Sequence, residues 1–448
     1  MSTDNSEQIL TDAPGNMLLN MGPSHPAMHG VVRIVLELEG ELVKKGELEI
    51  GYLHRAFEKH SESVTYTQVF PWTDRLNYVS PLINNFGYAM CVEKLMGIKV
   101  TPRCEYVRVA MSEISRITDH LTCIGASAME LGAFTVFLYM IKAREFLYEL
   151  VEDVTGARVT VSYARVGGVK ADLPPNFSER CGAQFKKIRE ILKECDGLLT
   201  HNRIFMDRMQ GIGIFSKEDA INFAFSGPML RASGVPYDVR RAYPYHAYDD
   251  IDFEIPVGET GDNFDRYLVR MEEMEQSMRI VEQSLEKMPG GPVNIDVPEI
   301  DPAKTVDEAK MGRIEEIVDH QVELSPNLEG QELSSYYQVN PDLKSVVIPP
   351  KQNSYTSIEG LMNHFKLIMY GHGIRPPKGE AYTCVEGGNG ELGFYIVSDG
   401  SDVPYRVRVR APCFPFVAAF HKMIEGLMIA DIIPTFGSIN MIAGELDH

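Results

Sequence analysis

Two histidines stand four residues apart in Gly22-Pro23-Ser24-His25-Pro26-Ala27-Met28-His29-Gly30, where prolines and flanking glycines forbid a helix and favour a stiff, extended loop. Such a loop can place a proton donor or a metal ligand, and spacing alone does not rank His25 against His29. The following Val31-Val32-Arg33-Ile34-Val35-Leu36-Glu37-Leu38 reads as a strand that anchors the loop at its C-terminal end. A soft-metal centre would need Cys-x-x-Cys pairs, but Cys91, Cys104, Cys123, Cys181, Cys195, Cys384 and Cys413 are scattered and odd in number. The combination points toward proton chemistry beside a cofactor held elsewhere.

Further candidates lie in short polar clusters. Tyr52-Leu53-His54-Arg55-Ala56-Phe57-Glu58-Lys59-His60 gathers histidines, cations and a carboxylate; as a helix it would set Arg55 and Lys59 on one face and pair Glu58 with His54. The plainer reading is a solvated charged helix. In Asp74-Arg75-Leu76-Asn77-Tyr78, just after the sole tryptophan Trp72, the phenol of Tyr78 could donate a proton, or simply pack. Leu230–Arg241 holds Arg231, Arg240 and Arg241 around a glycine, fit to bind an anion or to seal an interface. Gly387-Gly388-Asn389-Gly390 lacks the following Lys-Ser/Thr of a phosphate loop and reads better as a hairpin turn. No Gly-x-Gly-x-x-Gly opens a βαβ unit, and neither His-Glu-x-x-His nor Gly-x-Ser-x-Gly occurs.

The elements that must hold these groups are mostly helical. Residues 31–50 read as a hairpin turning at Glu39-Gly40, and helices are expected near 81–97, 104–128, 130–155, 175–198 and 262–288, the last capped by Asp262. Together they suit an antiparallel bundle. After an acidic, Pro-rich excursion with a short helix near 304–319 come a helix at 356–370, a strand pair at 392–397 and 405–409, and a final helix near 414–430. Arg406, Arg408 and Arg410 alternate onto one strand face. The expected organisation is an N-terminal extension (1–20), an α+β loop region (21–80), a helical bundle (81–290), a surface insertion (291–350) and a C-terminal α+β region (351–448). The fold class is mainly α with α+β parts.

With 448 residues, 44% hydrophobic and 24% charged, the chain is ordinary for a soluble globular protein. A net charge of −20 argues against nucleic-acid partners. The longest apolar run, 131–141, is too short to span a bilayer, and 1–19 lack the pattern of a signal peptide. Scattered cysteines fit a reducing compartment.

In order along the chain, Gly22–Gly30, Leu53-His-Arg-Ala-Phe-Glu-Lys59, Asp74–Tyr78, Leu230-Arg-Ala-Ser-Gly234, Tyr237-Asp-Val-Arg240, Pro376-Pro-Lys-Gly-Glu380 and Arg408-Val-Arg-Ala-Pro412 resemble one family. It is the D (49 kDa-type) subunit of respiratory complex I, the proton-pumping NADH:quinone oxidoreductase. That family is similar to the large subunits of nickel–iron hydrogenases. The segments matching the two hydrogenase cysteine pairs are here Phe70–Asp74 and Asn440–Gly444, without a cysteine, so a thiolate-held nickel cannot form. The resemblance therefore implies a hydrogenase-like fold with a vacated metal cavity that serves a quinone headgroup, and no cofactor bound by this chain.

Carried over, His29 and Tyr78 would contact the two quinone carbonyls as proton donors, His25 would shape the loop, and Glu130 would be the carboxylate linked to His29. Arg55 would lie near the terminal iron–sulfur cluster of a neighbouring subunit. NADH, FMN and the clusters belong to other chains. The implied partners are the iron–sulfur B subunit, the C and I subunits and the membrane H subunit, on the cytoplasmic face of the inner membrane. This chain departs from the pattern at Glu130, usually aspartate; at Thr160, often a histidine beside the cluster; at its last residue, His448, often arginine; and in a longer 301–350. A threonine cannot titrate near neutrality, so the cluster potential is expected to depend little on pH, as suits a menaquinone. The alternatives are an equivalent subunit of a complex fed by reduced F420 or ferredoxin, or a structural docking subunit.

Overall fold

The computed structural model describes residues 16–25, 30–295 and 346–448. His29, most of the 1–20 extension and the helix expected near 304–319 lie outside the described residues.

An antiparallel sheet opens the fold: β1 (Met17–Met21), β2 (Arg33–Glu39) and β3 (Leu42–Glu49), with β2 central. The β2–β3 hairpin turns through Gly40, whose φ of +64° suits a residue without a Cβ. Two short helices, α1 (Phe57–Ser61) and α2 (Phe70–Thr73), lead to the bundle. It consists of α3 (Pro81–Met96), α4 (Pro102–Glu130), α5 (Phe134–Thr155) and α6 (Phe177–Leu199), with a small β4–β5 hairpin (Ala164–Arg165, Gly168–Val169) before α6. Caps explain the boundaries. Pro81 and Pro102 sit in first turns, the Thr101 hydroxyl accepts from the Cys104 N–H, and Gly97 and Gly156 end α3 and α5 in the left-handed region.

Short helices α7 (Arg203–Met209), α8 (Lys217–Asn222), α9 (Gly227–Ala232) and α10 (Val239–Ala242) then wrap the bundle before α11 (Asn263–Lys287). Asp262 caps α11, accepting the Asp265 N–H at 2.8 Å. α4 packs along both α11 and α5, so charged residues on α4 are buried on several sides. The C-terminal part holds α12 (Lys351–Thr356), α13 (Ile358–Ile368) and the meander β6 (Gly379–Glu386), β7 (Glu391–Ser398), β8 (Arg406–Arg410), which covers α3. It ends in α14 (Cys413–Ile424), α15 (Ile429–Ile439) and α16 (Ala443–Leu446).

Mainly α with small antiparallel sheets toward both ends is thus the fold class found. Four local expectations need correction. The segment 52–60 is helical only from Phe57, because Ala56 sits at φ 53° in the left-handed region. The helix expected at 356–370 is found as α13, but the separate α12 just before it was not foreseen. The helix expected at 414–430 is two, parted where Gly426 and Ile429 donate to Val43 and Glu41 of the N-terminal hairpin at 2.9 Å. β1 and β6 went unread. Among the described residues no helix is long and apolar enough to cross a membrane.

One core fills the space between α3–α6, α11 and the C-terminal sheet. A second lies between the N-terminal sheet, α9 and α14–α16, so the two ends of the chain share a core.

Candidate functional site

That shared core brings the histidine loop and the tyrosine segment together. At the loop's end, a Cβ added to Gly30 would fall 2.8 Å from Cβ of Ala443, with the Met441 methyl at 3.4 Å. At the next residue, a Cβ on Gly444 would meet the carbonyls of Arg75 and Leu76 at 2.6 and 2.8 Å and the Tyr78 ring at 3.3 Å. The segment 441–444 therefore packs against both the loop's end and the Tyr78 segment, and glycine at 30 and 444 permits the approach. Arg55 locks the arrangement: its Nη2 donates to the Arg75 carbonyl at 2.6 Å and to the Gly444 carbonyl at 3.3 Å. Half-burial and the nearby Arg75 lower the pKa of Arg55 from its ordinary value.

Tyr78 is half-buried, with the Arg75 guanidinium 5.2 Å from its ring centroid. Burial raises the phenol's pKa, Arg75 opposes that, and Cys413 and Asp119 add to it. A phenol so placed holds its proton at neutral pH. Beside it lies a water-sized cavity of about 10 Å³, bordered by Thr118, Tyr148, Arg158 and Val159.

Behind Tyr78 is a buried polar knot. The Asp119 carboxylate accepts from Asn77 Nδ2 (2.9 Å), Ser80 Oγ (3.1 Å) and Asn440 Nδ2 (2.9 Å). Asn440 also donates to Asn389 Oδ1, and Asn389 Nδ2 donates to Cys413 Sγ at 3.2 Å. The Glu445 carboxylate accepts the Cys413 N–H at 3.0 Å; burial pushes its pKa up to about 7. Asp119 thus ties Asn77, in the Tyr78 segment, to Asn440, just before the 441–444 segment. Among the described residues, no group of three or more His, Cys, Asp and Glu side chains is placed to hold a metal.

A second buried polar region runs along the α4–α11 seam. Glu113 accepts from Arg116 Nε (3.1 Å), Arg240 Nη1 (3.1 Å), Tyr248 Oη (2.6 Å) and Ser277 Oγ (2.7 Å). Arg231 donates to Glu273 at 2.7 Å and to Glu386 at 2.8 Å. Burial lowers the His120 pKa, while the arginines hold Glu273 far below the usual carboxylate range. The imidazole is therefore neutral, and its Nε2–H donates to Glu273 at 2.7 Å. The arginines of 230–241 that could bind an anion or seal an interface do the latter, inside the chain.

The remaining residues named from sequence lie apart. His25 is half-buried at the start of the loop. Glu130 ends α4, its Oε2 3.1 Å from where a Cβ on Gly437 of α15 would sit. Thr118, whose hydroxyl donates to the Val79 carbonyl, is twelve residues earlier on α4, about 18 Å along the axis. The Tyr78 segment thus lies beside the middle of α4, and Glu130 at its C-terminal end. Thr160 is exposed, at φ 55°. Glu58 pairs with Arg408 (2.6 Å) and lies 3.7 Å from His448 rather than serving His54. The Asp447 carboxylate accepts the Gly51 and Leu53 N–H groups at 2.9 Å.

Asp119, Asn440 and Glu445 were missed by the reading of the sequence. The signal available was a polar stripe at helical spacing inside an apolar helix: Glu113, Arg116, His120, Cys123, Ser127, Glu130, with Asp119 beside it.

The family model described as respiratory-chain NADH dehydrogenase, 49 Kd subunit, matches residues 130–448. The first D-type subunit of the NADH-quinone oxidoreductase of Sorangium cellulosum is 48% identical over 446 residues, covering 99% of this chain and 98% of its own. The corresponding D-type subunit of Myxococcus xanthus is 48% identical over 432 residues, 96% and 92% of the two chains. A longer relative, the combined C/D-type subunit of the NADH-quinone oxidoreductase of Bdellovibrio bacteriovorus, is 44% identical over 442 residues, 97% of this chain and 70% of its own.

Proposed function

The chain belongs to the family of the 49 kDa subunit of respiratory-chain NADH dehydrogenase, and from that premise we propose that it forms one wall of the quinone headgroup pocket. It is a subunit of an NADH–quinone oxidoreductase, and the electrons would reach the quinone from a cluster in an adjacent chain. Two electrons and two protons turn the quinone into a quinol, so the wall's task is to orient the carbonyls and deliver protons. Tyr78 supplies one proton and His29 the other. The observation that carries this reading is that Gly30, at the end of the histidine loop, and Tyr78 pack against adjacent residues, Ala443 and Gly444.

The 10 Å³ space beside Tyr78 admits no quinone ring, whose pocket needs hundreds of cubic ångströms. The headgroup would therefore sit between this wall and a neighbouring subunit. Arg55 would stand at the edge nearest the donor cluster, where a cation favours the reduced state. Reduction would be coupled to proton translocation in a membrane arm, with this chain peripheral on the cytoplasmic face, next to the B, C, I and H subunits. The combined C/D relative supports the C contact.

The test is quinone reductase turnover of the assembled complex carrying Tyr78→Phe or His29→Ala. Each should cost about a hundredfold in turnover, the low end for a lost general acid. Turnover unchanged in both variants would refute the proton-donor roles.

A further inference from the structure

Arg266 and Arg270 lie one turn apart on α11, each essentially buried. Arg266 donates to Asn263 Oδ1 (2.9 Å), Ser438 Oγ (3.0 Å) and the carbonyls of Gly213 (2.7 Å) and Gly261 (3.0 Å), all neutral acceptors. Arg270 has only a long bond from Nη1 to the Arg266 carbonyl, 3.4 Å; its Nε and Nη2 have no partner. Among the described residues neither guanidinium is ion-paired to a carboxylate. Burial and the adjacent Arg270 push Arg266 down to about 9, the signature of like charges held together out of water. Buried cations left this way are among the costliest features a core can carry.

Beside Arg270 is a cavity of about 10 Å³, lined by α4, α7, α11 and α15. Its polar lining is Cys123, Ser127, Asn263, Tyr267, Arg270 and Ser438. Asn263, Tyr267 and Ser438 already spend their polar atoms on Thr435, Thr200 and one another. Cys123 points its thiol at the Gly437 carbonyl, 3.8 Å away. What remains to meet an occupant is the Ser127 hydroxyl, which has no hydrogen-bond partner, and two donors of Arg270. The free groups can all donate, one of them is a guanidinium, and the space takes one small atom.

We propose that this cavity binds a single monatomic anion of the halide class, held by Arg270 and Ser127. A halide accepts from all three donors and neutralises one of the paired cations, whereas a water would satisfy the donors and leave both charges standing. The site would fasten α4 to α11 and α15.

The test uses the assembled complex purified throughout in gluconate. Adding chloride at fixed ionic strength should raise the unfolding temperature saturably; Ser127→Ala should weaken that response and Arg270→Gln abolish it. Crystals grown in bromide should show an anomalous peak within hydrogen-bond reach of Arg270 and Ser127, an outcome that does not depend on either variant folding. The proposal is overturned by equal unfolding temperatures in the two salts, by density for a water with no bromide signal, or by Arg270 found paired to the Glu130 carboxylate.

Discussion

Glu113, Glu273 and Asp238 meet arginines inside the α4–α11 seam, whereas Asp119, also on α4 and equally buried, meets only two amides and a hydroxyl. Both regions satisfy their lone pairs, yet they differ in what a proton would do. Protonating Glu113 would strand Arg116 and Arg240 without their anion. Asp119 has no cation to strand, because among the described residues no ion pair reaches it. The seam is thus held by paired charges, whereas neutral donors hold Asp119, and in the same knot burial raises Glu445 to about 7. That difference suits the proposed wall: the groups that must stay rigid lie in the bundle, and the groups next to a reducible headgroup have neutral neighbours.

The comparison breaks most visibly at Arg231. Arg231→Met removes the cation shared by Glu273, Glu386 and Asp238, all buried. Asp238 keeps Arg240, but leaving Glu273 and Glu386 without their arginine should cost about 3–5 kcal/mol, read as a fall in the urea midpoint or as failure to assemble. If the loss were under about 1 kcal/mol, the seam would not be holding the bundle.

Glu445 probes the other region through pH. Its folded pKa of about 7 stands above the usual 4.5. The folded state therefore binds the proton more tightly, and the resulting stabilisation is full below pH 4.5 and lost as pH rises toward 7. Glu445→Gln removes that dependence. From the lower to the upper end of this window the native protein should lose about 3 kcal/mol relative to the variant, measured by urea unfolding at a series of pH values. Parallel curves would mean that Glu445 is ionised throughout.

Much of this architecture is written locally. Thr101-Pro102, Gly97, Gly156 and Asp262 mark helix ends because caps act over three or four residues. The break in the C-terminal helix is not local: Gly426 and Ile429 spend their N–H groups on Val43 and Glu41, more than 380 residues back. The same limit hid the knot. The sequence pointed to Tyr78 as a polar group near the loop, but Asp119 gains its meaning only from Asn77 and Asn440, which no spacing rule connects to it. Arg231 and Arg240 were legible as a cluster, and their acids were not, lying up to 155 residues away. The described residues do not include His29, so the loop's chemistry rests on Gly30 and the segment it packs against.

A smaller effect is expected at Asn77→Ala, which takes one donor from Asp119 and leaves Ser80 and Asn440. A buried carboxylate short of one hydrogen bond should cost about 1–3 kcal/mol. The measurement is urea unfolding, and a loss under about 0.5 kcal/mol, in the range of an exposed pair, would show that the knot does not depend on this donor.

Arg408 sets the lower bound of the scale. Its Nη1 lies 2.6 Å from Glu58 Oε2, as short as any pair in the seam, but its side chain is 58% exposed. Water already solvates both partners, and holding two long side chains in register costs entropy, so the pair gains little. Glu58 would also keep the Val409 N–H, which it accepts at 2.9 Å, and stay near His448. Arg408→Ala should therefore lower stability by about 0.5 kcal/mol or less, and by less still in high salt, where exposed pairs are screened. A loss comparable with that of Arg231→Met would show that exposure does not govern these pairs, and the contrast between seam and surface would fail with it.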